Sequence, residues 1–497
     1  MNLEIVVFMA YFIILFCVSL IFFFNGSNKG EKDYFLGGRK MGPWVTAMSA
    51  QASDMSGWLL MGLPGSVLAF GFGQMWIGIG LALGTAANWI LCAKRLRKFS
   101  QAANDSITVP QYLTNRFASK SKVLQIVCAV IFLVAFTVYV ASAFVSGATV
   151  FTQLFQNMSE RTAMLIFAII IVAYTFLGGF KAVCWTDFFQ GILMLVALMA
   201  IPIVILATQR LDTAELLKVY SYTDGGKEVI CSFGTGLFES SWQEIVTGLG
   251  WGLGYFGMPH IIVRFMSIEK PSMVRKSATV AIVWVILSLG AAVLVAYLGR
   301  MIVAEELLTK GAQKTVFIVL ARMFFPAGLS GFLLAAIIAA AVSTADSQLL
   351  VASSSFASDI YKPIFRKDAS DKEMLWVGRL VVMLCAVIAF LIASSKGSGA
   401  QAIMNLVENA WGIFGAAFGP VMILSYFWRR FNYEGACAGV IVGALVDIIW
   451  LYCFSSTGIY EIVPGFLCGL IASVVATLLT KAPSKEATDI FDAAVAD

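Results

Sequence analysis

Charge is scarce in this chain and histidine almost absent: 13% of its 497 residues are Asp, Glu, Lys or Arg, and His260 is the single histidine. One histidine excludes any multi-histidine metal or catalytic site within one chain. The nine cysteines lie almost all inside apolar runs, and none stands in a CxxC or other metal-ligand spacing, so neither a disulfide framework nor a zinc site is expected. A Walker A pattern is missing, which leaves no recognisable ATP engine. No polar block is long enough to be a soluble domain; the longest non-apolar stretches run from Lys94 to Lys122 and from Gln209 to Ser241. The start of the chain lacks the basic region of a signal peptide, and its first apolar run reads as a retained span.

What fills the chain is apolar. Hydrophobic residues make up 60% of the sequence and its mean hydropathy is +0.86, so most of it needs lipid as a solvent. Runs long enough to cross about 30 Å of hydrocarbon number about thirteen, at roughly 5-24, 43-69, 73-93, 124-154, 162-179, 187-207, 242-263, 277-302, 325-357, 375-394, 402-427, 435-454 and 463-480. Basic residues gather in loops after odd-numbered spans: Lys29, Lys32, Arg39 and Lys40, then Lys94 to Lys122 with Arg116, then Lys181, then Arg264 to Lys276, and so on to Lys481 and Lys485. By the positive-inside rule these loops are cytoplasmic, which puts the N-terminus outside and the C-terminus inside a plasma membrane. The net charge of +5 therefore reads as topology, not as affinity for nucleic acid.

Two spans are interrupted, by Ala52-Ser53-Asp54-Met55-Ser56-Gly57-Trp58 and by the glycine-rich stretch from Gly250 to Gly257 that ends on Pro259. A membrane helix breaks only where protein or a cavity satisfies the freed backbone groups, and paired breaks in corresponding halves mark a carrier's midplane site. With the first span set aside, the breaks open the first and sixth of the next ten spans. Because five is odd, the second group of five starts from the opposite side, the arithmetic of an inverted repeat. The expected division is 1-42 (first span and loop), 43-208 (first repeat), 209-241 (extracellular loop), 242-427 (second repeat), 428-480 (two further spans) and 481-497 (cytoplasmic tail).

A carboxylate inside an apolar run is expensive, which makes Asp54, between Ser53 and Ser56, a site residue or a buried structural acceptor. A hard cation such as sodium needs several oxygens. Carbonyls freed at the break, from Ala52 and Met55, and the hydroxyls of Ser343 and Thr344 are candidates; those hydroxyls are equally able to bond back to their own helix.

The stretches Asp33 to Arg39, Ala52 to Gly62, Gly250 to Phe256 and Phe414 to Pro420 resemble, in order and spacing, the sodium/solute symporter family, most closely its sodium/proline branch. The resemblance implies an all-α membrane protein with a leucine-transporter-type 5+5 inverted-repeat core, one extra N-terminal and two extra C-terminal helices. It implies a secondary transporter, not an enzyme, that couples sodium entry to uptake of L-proline by alternating access; other small solutes (another amino acid, a small carboxylate, pantothenate) are the alternatives, and a transport-like sensor a more remote one. Sodium is then the coupling ion, no cofactor is needed, and the partners are substrate, sodium and the bilayer, without an obligatory protein partner.

Carried onto this sequence, the sodium site falls on the carbonyls of Ala52, Met55 and Ala340 and the hydroxyls of Ser343 and Thr344, beside Asp54. The substrate pocket falls on Ser56, Gly57, Trp58, Tyr139, Trp251, Tyr255 and Pro259. Aromatic walls with a few polar groups suit a small zwitterion with an apolar ring, although Trp and Tyr also serve as interfacial anchors. Arg39 and Asp187 match gating and coupling positions, Asp187 being equally readable as a helix cap, and His260 reads as a packed neutral imidazole. Asp346, Glu408 and Asp447, with Met258 and Gln51, depart from the pattern of the branch. For Glu408, facing a cavity, pairing with a neighbour and proton coupling stay open.

Overall fold

The computed structural model describes residues 3–24, 30–224, 226–396 and 401–496; Lys29, counted with the first basic loop, lies outside them. Helices follow the apolar runs. They are α1 (Leu3–Phe24), α2a (Pro43–Asp54) with α2b (Leu63–Phe70), α3 (Phe72–Ala102), α4 (Val123–Leu154), α5 (160–178), α6 (Gly179–Thr208), α7a (Trp242–Gly250) with α7b (Pro259–Ser267), α8 (Pro271–Leu308), α9 (Ala327–Phe365), α10 (Asp371–Ser395), α11 (Ala402–Phe427), α12 (Tyr433–Cys453) and α13 (Ile462–Leu479). Nine of these, among the described residues, are long and apolar enough to cross a membrane in one piece. The rest are α1, the two broken helices and α5. Gly179 separates α5 from α6 by taking φ +68 and ψ 173, a conformation closed to residues with a Cβ.

The breaks have local causes. α2a ends at Asp54 because Met55 leaves helical geometry (φ −81, ψ 78), and the chain resumes through a wide turn, Trp58–Gly62, into a helix that opens on Leu63-Pro64. In α7 the glycine-rich stretch tightens into a 3-10 turn, Trp251–Phe256, Met258 becomes extended, and Pro259 starts α7b with its fixed φ and no N–H to lose.

Glycines then bring the broken helix against α3. A Cβ on Gly80 would meet the Gly248 carbonyl oxygen at 2.2 Å, and one on Gly84 the Gly252 oxygen at 2.3 Å. Both pairs are four residues apart, the small-residue spacing that lets membrane helices touch backbone to backbone. Between α6 and α7a, where the sequence predicts an extracellular loop, the chain carries an antiparallel hairpin, Tyr220–Asp224 with Lys227–Cys231.

Arg264 is not a loop charge, contrary to the sequence reading. It lies on α7b and is buried, as is Arg116 at the end of the short helix Val109–Arg116. The tail is also more than a tail: Lys485–Val495 forms a helix whose Phe491 packs on Phe99, with ring centroids 5.3 Å apart.

Candidate functional site

Both breaks converge on a buried centre. The Ser343 hydroxyl on α9 donates to the Ala52 carbonyl at 2.8 Å and lies 3.1 Å from the Ala340 carbonyl of its own helix. Thr344 beside it is fully buried and its hydroxyl has no partner among the described residues. Hard oxygens, freed carbonyls and hydroxyls, are therefore what α2 and α9 present to one another, the donor set that suits a small hard cation.

Asp54 faces a different way. Its Oδ2 accepts a 2.5 Å hydrogen bond from the Tyr255 hydroxyl, across the two breaks, while Oδ1 has no partner among the described residues. The carboxylate thus joins the aromatic cluster. Trp58 and Trp251 lie 6.4 Å apart, Trp251 packs 5.2 Å from Tyr460 and 6.4 Å from Trp411, and Tyr255 meets Trp411 edge-on at 5.1 Å. Trp411 also donates its indole N–H to the Trp251 carbonyl at 2.8 Å, and Asn88 donates to the Tyr255 carbonyl at 2.8 Å, so carbonyls freed by the α7 break are held by side chains. The Trp251 indole N–H is buried without a partner among the described residues. Ser56, Gly57 and Pro259 are buried in the same region, and a Cβ on Gly57 would strike the Ser146 hydroxyl at 2.3 Å. None of the named side chains of this centre is more than 3% exposed.

Polar groups also mesh on the side of the basic loops. Asp187, eight residues inside α6 and so not a cap, accepts from Ser49 at 2.6 Å and pairs with Arg264 at 3.2 Å, both ions fully buried. Arg264 donates further to the carbonyl of His260 at 2.6 Å, to Ser347 at 2.5 Å and to Ser49 at 3.0 Å. Asp346 accepts from Ser347 at 3.3 Å. The His260 ring packs edge-on against Phe136 at 5.6 Å.

Arg39 follows Gly37 and Gly38, and all three take positive φ (61, 65 and 55). For the arginine this is a strained choice, held by its donors: Nε to Asp105 at 2.7 Å, Nη1 to Ser100 at 3.0 Å and to the Met266 carbonyl at 2.6 Å, and Nη2 to the Ser106 carbonyl at 2.7 Å. One guanidinium so ties the loop after α1 to the ends of α3 and α7b. Burial lowers it to about 10, against the pull of Asp105, and it stays charged at neutral pH.

Comparison with known proteins completes this picture. Residues 34–443 match the profile of the sodium:solute symporter family. The chain belongs to that family. Among its relatives are the high-affinity proline transporter PutP of Bacillus subtilis, 43% identical over 93% of this chain and 95% of that one, and the sodium/proline symporter of Escherichia coli (strain K12), 43% identical over 92% and 90%. A solved Na+-coupled sialic acid symporter, in a substrate-bound outward-open state, superposes with a TM-score of 0.75 at 19% identity, covering 97% of this chain and 99% of that one. The nucleobase-cation-symport-1 family transporter Mhp1, in a closed conformation, follows at 0.58 and 16%, covering 94% and 99%. These likenesses give the symporter the leucine-transporter-type helical fold, and its family makes it a secondary transporter of the plasma membrane, not an enzyme.

Of the residues singled out in the sequence, the structure brings Ala52, Ala340 and Ser343 together with Thr344 next in the chain, and gathers Trp58, Trp251 and Tyr255 with Asp54. Met55 sits at the break itself, its N–H bonded to the Gln51 carbonyl. Tyr139 lies edge-on to His260 at 6.4 Å. Arg39 and Asp187 belong to the closure on the basic side. Sequence reasoning missed Trp411, Tyr460, Asn88 and Arg264. Trp411 stands three residues before the Phe414 motif, a signal masked by the usual anchoring role of tryptophan.

Proposed function

We infer that this chain carries L-proline into the cell together with sodium, by alternating access around the buried centre, with the N-terminus outside and the C-terminus inside. The 43% identity to proline transporters over most of both chains carries the substrate. The oxygen-lined contact between Ala52 and Ser343 carries the ion. Sodium sits on the carbonyls of Ala52, Met55 and Ala340 and the hydroxyls of Ser343 and Thr344. The proline ring lies among Trp58, Tyr139, Trp251 and Tyr255, its polar ends near Ser56, Gly57 and the chain at Pro259. Residues 43-208 and 242-427 act as the two inverted halves that rock about this centre.

Energetics make the coupling worthwhile. A potential of about 120 mV contributes about 2.8 kcal/mol per charge, at roughly 2.3 per 100 mV, and a tenfold sodium gradient about 1.4 more. One sodium so supports about thousandfold accumulation of a net-neutral solute. Coupling requires that both ligands prefer the same conformation, and it is reciprocal: proline raises sodium affinity as much as sodium raises that for proline. Binding titrations of each ligand in the presence and absence of the other test this; equal affinities with and without the second ligand contradict it.

A further inference from the structure

Three acidic residues on the side away from the basic loops remain outside this account: Glu408 on α11, Asp447 on α12 and Glu461 in the turn before α13. Asp447 and Glu461 are 2% and 6% exposed. Their Oδ1 and Oε1 have no partner among the described residues, and both approach the same point: a Cβ on Gly412 would lie 3.0 Å from Asp447 Oδ1 and 3.4 Å from Glu461 Oε1. A cavity of about 520 Å³ opens beside them, lined by Glu408, Glu461, Tyr460, Asn405, Asn409 and Thr247.

The surrounding elements offer no positive charge. Neither α11, α12, the stretch 454–479 nor the stretch 242–256 contains a Lys, Arg or His. The titratable groups facing the pair are Glu408 from α11 and Tyr460 from the turn, whose hydroxyl donates to the Glu408 carbonyl at 2.7 Å. On α7a, Glu244 is engaged with its own helix start, accepting from Ser241 at 2.7 Å, and Tyr255 with Asp54. Two buried carboxylates that approach one point without a counter-ion do not both remain ionised; a proton on either one removes the repulsion.

We propose that Asp447 and Glu461 form a proton-binding site, loaded through the cavity from the outer side, that governs how firmly the α7 break is closed. The connection is direct. Gly412, between the two acids, follows Trp411, which holds the Trp251 carbonyl, and Tyr460, next to Glu461, packs on the Trp251 ring. The same turn seats tightly over the break: a Cβ on Gly250 would meet Val463 at 2.6 Å, and one on Gly415 would meet Ile462 at 2.4 Å. With the proton bound, the pair holds Glu461 against α11 and α12. Losing it sets two carboxylates against one another, lifts the 460–463 turn from Gly250 and Gly415, and loosens the wall that Trp251 makes.

The inference rests on the proline reading only for its transport readout. In sealed vesicles of defined orientation, with inner pH and sodium fixed, raising outer pH from about 6 to about 8.5 is expected to raise the apparent proline KM by about fivefold or more in the wild type. Asp447→Asn and Glu461→Gln should each flatten that dependence to less than about twofold while keeping sodium stimulation. Should those variants not accumulate, Asp447→Glu, which keeps the carboxylate and changes its reach, should move the midpoint. The same titration is followed by tryptophan fluorescence of the purified protein without substrate, so absence of proline transport ends the substrate reading and leaves this one open to its own test. A wild type whose KM and fluorescence ignore outer pH overturns the proposal. So does a pH response unchanged in the variants, or a response to outer sodium in place of protons.

Discussion

The Tyr255 hydroxyl donates to Asp54 across 2.5 Å, a bond that joins the break of the second helix to the break of the seventh. It joins the carboxylate to the aromatic cluster, two residues along the chain from Ala52, one of the carbonyls proposed to hold the ion.

Tyr255→Phe keeps the ring against Trp411 and removes only the donor. A hydrogen bond to a charged group contributes about 1.5–3 kcal/mol, so proline binding should weaken by about tenfold or more, and the mutual enhancement of sodium and proline should shrink. Calorimetric titration of each ligand with and without the other reads both effects. Tyr255→Ala should weaken proline binding further, and sodium binding alone much less.

Replacing both hydroxyls, Ser343→Ala with Thr344→Ala, removes two proposed ion ligands and the link to the Ala52 carbonyl. Uptake should lose its dependence on sodium concentration in the millimolar range while the protein still folds. An unchanged sodium dependence of uptake would place the ion elsewhere. Asp54→Asn, which preserves shape and removes charge, should cripple sodium coupling with little effect on folding.

Much of this was legible early because membrane solvent leaves a plain record: each apolar run became a helix, and the breaks at Asp54 and Gly250 to Pro259 fell where the residues announced them. Charge was harder to read. Counting Arg264 and Arg116 among the loop cations served the topology, yet neither residue is in a loop; sequence shows a cation but not the buried carboxylate or carbonyls that wait for it. Trp411 and Tyr460 were lost among aromatics whose ordinary role is anchoring, since only folding reveals that they pack on Trp251. The hairpin at 220–231 and the docked helix Lys485–Val495 lie in polar segments whose order depends on tertiary contacts.

The buried pair of Asp187 and Arg264 gives a prediction about stability. Removing one partner strands the other, at a cost of about 3–5 kcal/mol, whereas removing both costs less. Arg264→Met alone and Asp187→Leu alone should each lower thermal stability more than the two together, measured as a double-mutant cycle on the purified protein. Additive losses would mean that the two residues act independently.

At the Arg39 closure the sign of the pH response is fixed by Asp105. Partial burial works to raise its carboxyl, but the hydrogen bond from Lys32 and the charges of Arg39 and Lys32 outweigh it and leave Asp105 below its usual 3.8. A depressed carboxyl contributes stability that is present above its unfolded value and lost as pH falls through the folded one. The tie between the first loop and the ends of α3 and α7b should therefore hold unchanged from about pH 5 to about pH 8 and open only in stronger acid. Hydrogen exchange at residues 100–106 checks this, and Asp105→Asn should expose the segment at neutral pH.

Sodium-driven proline accumulation by the purified protein in sealed vesicles tests the central claim most directly. An inward sodium gradient should concentrate proline inside against its own gradient, collapse of the gradient should release it, and excess proline should outcompete a panel of other amino acids, small carboxylates and pantothenate. Accumulation indifferent to sodium, or driven by sodium for another solute and not for proline, would contradict it.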